Sequence, residues 1–246
     1  MSIRTIKLIV EYDGTDYVGW QVQPNGLSIQ QVIEEALEKL LGESVRLQSS
    51  GRTDSGVHAR GMVASFLTEK TLPLRAFSDG LNSILPPDVA IRQADEMPAG
   101  FNPRRDAVGK HYRYTIRTAP RRSPLDRLIV WHLRGELDLP AMQQAAAYFV
   151  GEMDFAAFRA SNCNAATTIR RMDSVEVTRS GDYIFIDVKG SGFLKNMVRI
   201  IAGTLVGVGQ GVLAAESIPD MINAGDRKKA GITAPPQGLC LMEVFY

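Results

Sequence analysis

The chain has 246 residues, of which 45% are hydrophobic, and its formal net charge is +1. This hydrophobic content excludes a largely disordered chain, and the length exceeds a typical single domain of about 100–150 residues. The longest uncharged stretch, residues 200–215, contains four glycines and is shorter than the ~18 residues that a membrane span needs. Because Met1–Val10 carries an apolar run of only three residues, we expect no export signal and a cytoplasmic protein.

The first half of the chain alternates between strand and helix patterns. Ile3–Tyr12 is predicted as a strand because its apolar residues recur at every second position. The clearest helix follows Ser28 as N-cap and stops at Gly42. The other elements predicted in this half are a strand at Val63–Leu67, a helix at Leu74–Leu85 and a strand at Val89–Ala94.

The second half continues the same alternation. The predicted elements are strands at Lys110–Thr118 and Arg127–Leu133, a helix from Asp138 to about Val150, a hairpin of Met172–Arg179 with Tyr183–Lys189, and a helix at Phe193–Val208. We therefore expect an α+β protein in which two similar α/β halves, residues 1–105 and 106–246, form a mostly antiparallel sheet. Helices are expected on one face of the sheet, with the active-site cleft between the halves.

Positive charge is concentrated in one segment. The segment from Arg104 to Arg134 contains nine basic and two acidic residues, which gives it a net charge of +7 in a chain whose net charge is +1. Tyr112, Tyr114 and Trp131 lie in this basic stripe, and cations interleaved with aromatic rings suit a nucleic acid with exposed bases. The alternative is a solvated surface whose aromatic rings point inward, because strand residues alternate between faces.

The segment Ser49–Gly61 holds the densest group of reactive and turn-forming residues. Gly51 and Gly56 bracket a tetrad that includes Arg52, and we expect Asp54 at the tip of a constrained loop. The alternative is an ordinary turn whose polar side chains bond their own backbone.

Other sites are less well supported by the sequence. Asp54, Ser55 and His58 have the side chains of a hydrolase triad. Neighbouring residues on one loop, however, rarely reach the geometry that such a triad needs. Three histidines and two cysteines lie far apart without ligand spacing, so no metal site is expected, and Cys163 and Cys240 are expected as reduced thiols.

Arg199 is the candidate partner of Asp54. Apolar residues flank this arginine in the predicted last helix, so its charge would be partly buried and would need a counter-charge. An aspartate beside an arginine stays ionised, which favours a nucleophile or a base over an acid.

Five sequence blocks, in order along nearly the whole chain, closely resemble the tRNA pseudouridine synthase A family. They are Asp13–Thr15 with Gly19–Gln23, the run Gly-Arg-Thr-Asp-Ser-Gly-Val-His-Ala at Gly51–Ala59, Lys110–Tyr114, Gly192–Arg199 and Ala234–Leu239. The nine-residue run is highly specific. The chain departs from the usual pattern at Met62, at Asn102-Pro103 and at Lys195-Asn196, which puts in doubt only details of RNA contact or dimer packing.

The resemblance implies an isomerase that converts uridine to pseudouridine at positions 38, 39 and 40 of the anticodon arm of tRNA. It implies a homodimer and neither a cofactor nor a metal. By match of motif, Asp54 is the essential carboxylate, Tyr112 stacks on the target base and Arg199 pairs with the aspartate. Arg52 would hold the gap left by the flipped nucleotide, and Leu239 would form an apolar wall of the pocket.

Some questions stay open on the sequence alone. Arg104 and Lys110 are further candidates for substrate binding because they lie in the basic stripe. The motif is equally compatible with three roles of Asp54: attack on C1′, addition to C6, or removal of the 2′ proton. A noncatalytic RNA-binding module on the same scaffold is the alternative function, and a hydrolase built on Ser55 and His58 is a third.

Overall fold

The computed structural model describes residues 3–246. Of the segment Met1–Val10, over which no export signal is expected, Met1 and Ser2 lie outside the described residues. The described strands and helices are, in chain order, β1 (Arg4–Tyr12), α1 (Ile29–Leu41), β2 (Gln48–Ser49), β3 (His58–Thr68), α2 (Asp79–Asn82), β4 (Val89–Met97), β5 (Gly109–Thr118), β6 (Trp131–Leu133), α3 (Leu139–Ala147), β7 (Gly151–Asp154), β8 (Ile169–Ser180), β9 (Tyr183–Gly190), α4 (Met197–Gly209), α5 (Ile218–Ala224) and β10 (Leu239–Phe245).

The chain divides into two compact units. The first comprises the described residues up to Val108 together with Leu241–Tyr246, and the second comprises Gly109–Cys240. Antiparallel pairs predominate in both units, and β5 with β6 is a parallel pair. The predicted α+β class with a mostly antiparallel sheet is confirmed. The division into halves 1–105 and 106–246 stays a prediction.

The first unit is built around β1. This strand pairs with β3 on one side and with β4 on the other, and its Ile6, Leu8 and Val10 are fully buried. The predicted helix α1 is confirmed with both of its ends. The Ser28 hydroxyl accepts a hydrogen bond from the Gln31 N–H at 3.2 Å, and Gly42 ends the helix with φ of 72°.

The second unit has the strand order β5-β9-β8-β7, with β6 beside β5. The predicted hairpin is confirmed, since β8 and β9 pair up to the tight turn between Ser180 and Tyr183. The start of α3 is confirmed as well, because the Asp138 carboxylate accepts the Ala141 N–H at 3.0 Å. Helix α4 is buried along almost its whole length, as its nearly all-round apolar sequence requires.

The predicted helix Leu74–Leu85 is wrong. The segment forms a short 3₁₀ turn, Leu74–Phe77, and then the four-residue α2. Ser78 separates them with φ of −108° and ψ of −77°, outside regular helix geometry. Asn82 then exchanges two hydrogen bonds with the backbone of Ile91, at 2.7 and 2.9 Å, which joins this segment to β4.

Two further boundaries differ from the sequence prediction. The strand predicted at Arg127–Leu133 is confined to β6, because a turn in which the Ile129 N–H bonds Asp126 O precedes it. The helix predicted from Phe193 begins at Met197, because Asn196 adopts the left-handed conformation with φ of 61°. Left-handed backbone cannot continue a right-handed helix, so the helix starts only after Asn196.

Candidate functional site

In the first unit, Asp54 lies in a turn between β2 and β3 and is half-buried. The Val57 N–H bonds Asp54 O at 3.1 Å and closes the turn, and Gly56 has φ of 75°. This conformation favours glycine. The second glycine of the predicted pair, Gly51, is not among the described residues with positive φ. Only Gly56 therefore contributes a left-handed residue to the bend.

Residues of the preceding segment anchor this turn on both sides of Asp54. The hydroxyls of Tyr12 and Thr53 share a buried hydrogen bond of 2.7 Å, and the Trp20 N–H donates to Thr53 O at 3.1 Å. On the other side, the Ser55 hydroxyl donates to Tyr17 O at 3.0 Å. Thr53 and Ser55 thus hold the turn in place.

Two glycines let the backbone of the turn approach closely. A Cβ on Gly14 would lie 2.1 Å from Val57 O, and a Cβ on Gly19 would lie 2.6 Å from Thr53 O. Real Cβ atoms essentially never come within 3.0 Å of other heavy atoms. This role of Gly14 and Gly19 was not predicted from the sequence, although both lie in the first of the motif blocks.

His58 faces the same glycine segment. The Gly14 N–H donates to His58 Nδ1 at 3.1 Å, and a carboxylate oxygen of Asp13 lies 3.1 Å from the same nitrogen. Partial burial would raise the pKa of Asp13, but hydrogen bonds from the Thr15 hydroxyl and N–H outweigh it and lower that pKa. Because the Ser55 hydroxyl is turned toward Tyr17 O, the geometry argues against the hydrolase hypothesis.

In the second unit, Tyr112 lies in β5 opposite Val188 of β9 and is only 8% exposed. Its ring packs edge-on against the ring of Phe193, with centroids 5.1 Å apart and planes at 79°. Tyr114 is two residues further along the same strand and therefore shares its face. The face that carries Tyr112 is thus aromatic and largely buried.

Arg199 lies in the first turn of α4, and two contacts orient its guanidinium. Nε donates to Ala234 O at 2.7 Å, and one terminal nitrogen donates to Asn196 Oδ1 at 3.1 Å. The Ala234 N–H in turn donates to Arg199 O at 3.1 Å. The predicted pairing of Arg199 with Asp54 stays a prediction.

Tyr114 holds the segment that receives Arg199. Its hydroxyl donates to Pro235 O at 2.7 Å, and its ring lies against Gly238, where a Cβ would be 2.6 Å away. Burial raises the pKa of Tyr114, and the nearby charge of Arg199 only partly opposes this, so the hydroxyl stays a donor. Leu239, buried at the start of β10, follows directly. This supporting role of Tyr114 was not predicted from the sequence, where its spacing of two from Tyr112 was the available signal.

The candidate RNA-binding cations differ in their surroundings. Arg52 is exposed beside Thr53. Arg104 is exposed in a turn, where its own N–H donates to Asn102 Oδ1 at 3.0 Å. Lys110 is half-buried in β5. Three members of the basic stripe form ion pairs with carboxylates, namely Arg105 with Asp106, Arg113 with Asp187 and Arg117 with Asp182. The free positive charge of the stripe is therefore smaller than its composition indicates.

Two features are absent from residues 3–246. Three or more His, Cys, Asp or Glu side chains are nowhere grouped in this part of the chain as a metal ion would need. No helix within the same residues is both long and apolar enough to cross a membrane.

Several known proteins that are similar to this chain share one name. The family model of the tRNA pseudouridine synthases matches residues 8–104 and 145–246. The tRNA pseudouridine synthase A of Geotalea daltonii is 70% identical over 244 residues, covering 99% of this chain and 100% of that protein. The protein of the same name from Geotalea uraniireducens is 67% identical over 244 residues, with coverage of 99% and 100%.

A solved chain from an archaeal box H/ACA ribonucleoprotein is also similar. Its TM-score is 0.37 at 13% sequence identity, and the match covers 82% of this chain. This chain spans 44% of the length of that one.

Proposed function

This chain belongs to the tRNA pseudouridine synthase family and isomerises uridine to pseudouridine in tRNA, and we propose that Asp54 is the essential carboxylate of this reaction. We further propose that the targets are positions 38, 39 and 40 of the anticodon stem-loop. The reaction breaks the bond between C1′ and N1, turns the uracil and forms a bond between C1′ and C5, after which C5 releases its proton to solvent and N1 takes one up.

The observation that carries the role of Asp54 is the rigid support of its turn. Thr53 is held by hydrogen bonds with Tyr12 and Trp20, and Ser55 is held by Tyr17 O, so the residues on both sides of Asp54 are fixed. A reacting group that is held in place avoids the entropic cost of orienting it during the reaction. A half-buried carboxylate on such a support suits a nucleophile or a base.

The other proposed roles lie mainly in the second unit. Tyr112 offers an aromatic face beside Phe193, and stacking on a flipped base contributes about 1–3 kcal/mol. Arg199, held by Ala234 and Asn196, would pair with Asp54 and keep it ionised. Leu239 would form an apolar wall of the pocket.

Further cations would contact the RNA. Arg52, exposed next to the turn, would fill the gap left by the flipped nucleotide. Arg104 and Lys110 would bind phosphates, which supply much of the affinity of proteins for nucleic acids. The functional unit would be a homodimer in the cytoplasm, where tRNA is modified, with one tRNA lying across both subunits.

Tritium release from tRNA labelled at C5 of its uracils tests the role of Asp54. Wild type is expected to release tritium, and Asp54→Asn is expected to release none because its amide is neither a nucleophile nor a base. Asp16→Asn is the matched control, since Asp16 is an exposed aspartate next to Tyr17, whose carbonyl holds Ser55. Release that persists in Asp54→Asn would refute the assignment. A protein that binds tRNA without any release would indicate the noncatalytic alternative.

The target positions need a separate experiment. Transcripts of tRNA in which cytidine replaces uridine at positions 38, 39 and 40 are expected to release no tritium. An undiminished release from these transcripts would show that the modified uridines lie elsewhere.

A double-mutant cycle tests the pairing of Asp54 with Arg199. If the two side chains interact, the unfolding free energies of Asp54→Asn, Arg199→Gln and the double variant are expected to be non-additive by about 0.5–3 kcal/mol. Additive losses would show that the two residues do not interact.

A further inference from the structure

Two neighbouring arginines of β8 lie on opposite faces of the second unit's sheet. Arg170 is two residues from the buried Met172, so both side chains point to the same face of the sheet. Arg171 points to the other face and forms an ion pair with Asp173 at 2.9 Å. Glu152 of β7 is directly opposite Arg171 in the strand register, so it shares that other face. The carboxylates at this end of the sheet thus gather around Arg171 and away from Arg170.

The face that carries Arg170 is the face that carries Tyr112. Gly190 of β9 pairs with Met172 on one neighbouring strand and with Lys110 on the other, so the side chains of Met172 and Lys110 lie on the same side of the sheet. Tyr112 follows Lys110 by two residues and keeps this orientation. The side chain of Arg170 also lies next to Gly192, where an added Cβ would be 3.9 Å from its Nε.

Two loop cations complete the group. Lys195 is exposed and follows Phe193, the ring that packs against Tyr112, by two residues. The Ala160 N–H donates to Lys195 O at 3.0 Å, which places the backbone of the preceding residue, Arg159, close to Lys195. We call Arg159, Arg170 and Lys195 the cationic rim.

The cationic rim is not neutralised within the chain. In the part of the chain that the structure describes, none of its three members forms an ion pair with a carboxylate. One terminal nitrogen of Arg170 donates to the carbonyls of Thr167 and Ile169, which orients the guanidinium but leaves its charge. The rim therefore differs from the ion-paired arginines of the basic stripe, and it offers positive charge to a ligand.

We propose that the cationic rim binds the phosphodiesters of the tRNA strand on either side of the nucleotide that stacks on Tyr112. The proposal rests on the proposed function in taking Tyr112 as the platform for the target base. A strand that presents a flipped base has its adjacent phosphates at the edge of the pocket, where unpaired cations can replace their counterions.

The salt dependence of tRNA binding tests the cationic rim. Each lost phosphate contact is expected to reduce the slope of log K against log salt by about 0.7, the value for single strands. Arg170→Gln is therefore expected to lower the slope by about 0.7 and the triple variant of the cationic rim by about 2. Arg171→Gln is the matched control, because it removes the same charge from the adjacent position on the other face, and its slope is expected to equal that of wild type.

Two further readouts separate phosphate binding from support of the loop. Arg170→Lys loses the geometry of the contacts to Thr167 and Ile169 but keeps the charge, so it is expected to restore most of the slope. In steady-state kinetics, Arg170→Gln is expected to raise KM roughly tenfold with kcat nearly unchanged, because binding is lost equally in the ground and transition states.

Three results would overturn the proposal. They are an unchanged slope in the triple variant, an equal loss of slope in Arg171→Gln, and a fall in kcat for Arg170→Gln without a change in slope. A failure of the proposed function would be seen elsewhere, as tritium release that persists in Asp54→Asn or occurs outside positions 38–40. The slopes of tRNA binding do not depend on either outcome.

Discussion

Gly14 is the position where adding one methyl group is expected to disable the Asp54 turn. A Cβ there would lie 2.1 Å from Val57 O, while ordinary contact begins at 3.4 Å, so the two backbones would have to separate by about 1.3 Å. Val57 is hydrogen-bonded to Asp54 O at 3.1 Å, and the shift would therefore reach the carboxylate. Misplacing a reacting group by about 1 Å can reduce the rate about 100-fold.

We expect Gly14→Ala to lower kcat in the tritium-release assay by about 100-fold. The cost in stability is expected to be about 1–3 kcal/mol, as for other overpacking substitutions, so the variant should remain folded by circular dichroism and urea denaturation. Gly80→Ala is the matched control, because a Cβ there would lie no closer than 3.7 Å to another atom. A folded Gly14→Ala variant with wild-type kcat would refute the reasoning, as would an equal loss in Gly80→Ala.

Three other substitutions test the support of the fold and the site. Burial would raise the pKa of Asp187, but hydrogen bonds from His111 and Arg113 outweigh it and lower that pKa, so its stabilising effect is present above the unfolded-state pKa of about 4. This stabilisation is lost as the pH falls through the lower folded-state pKa, and acid titration of unfolding should show a smaller loss of stability below about pH 4 for Asp187→Asn than for wild type. Tyr114→Phe removes the hydrogen bond to Pro235 O and is expected to lower the free energy of unfolding in urea by about 1–3 kcal/mol. It is also expected to reduce kcat, because the neighbouring Ala234 O holds Arg199. Gly42→Ala is expected to cost about 1 kcal/mol in thermal unfolding, because φ is 72° and the added Cβ meets nothing within 4 Å; an unchanged melting temperature would contradict this backbone cost.

Local signals in the sequence were sufficient where neighbouring residues decide the structure. The cap and stop of α1 and the cap of α3 depend on side chains within a few residues, and the strands β8 and β9 depend on a tight turn between them. The candidate residues Asp54, Tyr112 and Arg199 were likewise found in short motif blocks. Their combined action in one reaction stays a prediction.

Contacts between distant residues decided what the sequence could not. The helix predicted at Leu74–Leu85 is interrupted at Ser78 and ends at Asn82, which bonds Ile91 of β4, and the helical periodicity of the sequence does not reveal such a contact. The close approach at Gly14 joins residues 43 positions apart in the chain, so the sequence drew attention to Gly51 instead.

The same limit applies to charge. The sequence shows Arg170 and Arg171 as equivalent neighbours, and the basic stripe as the main positive region. Only the strand register separates the two arginines onto opposite faces, and only the folded chain pairs Arg113 with Asp187. The sequence thus determines which residues can react or carry charge. The tertiary structure decides which of those charges stay available to a ligand, because pairing depends on contacts across the sheet.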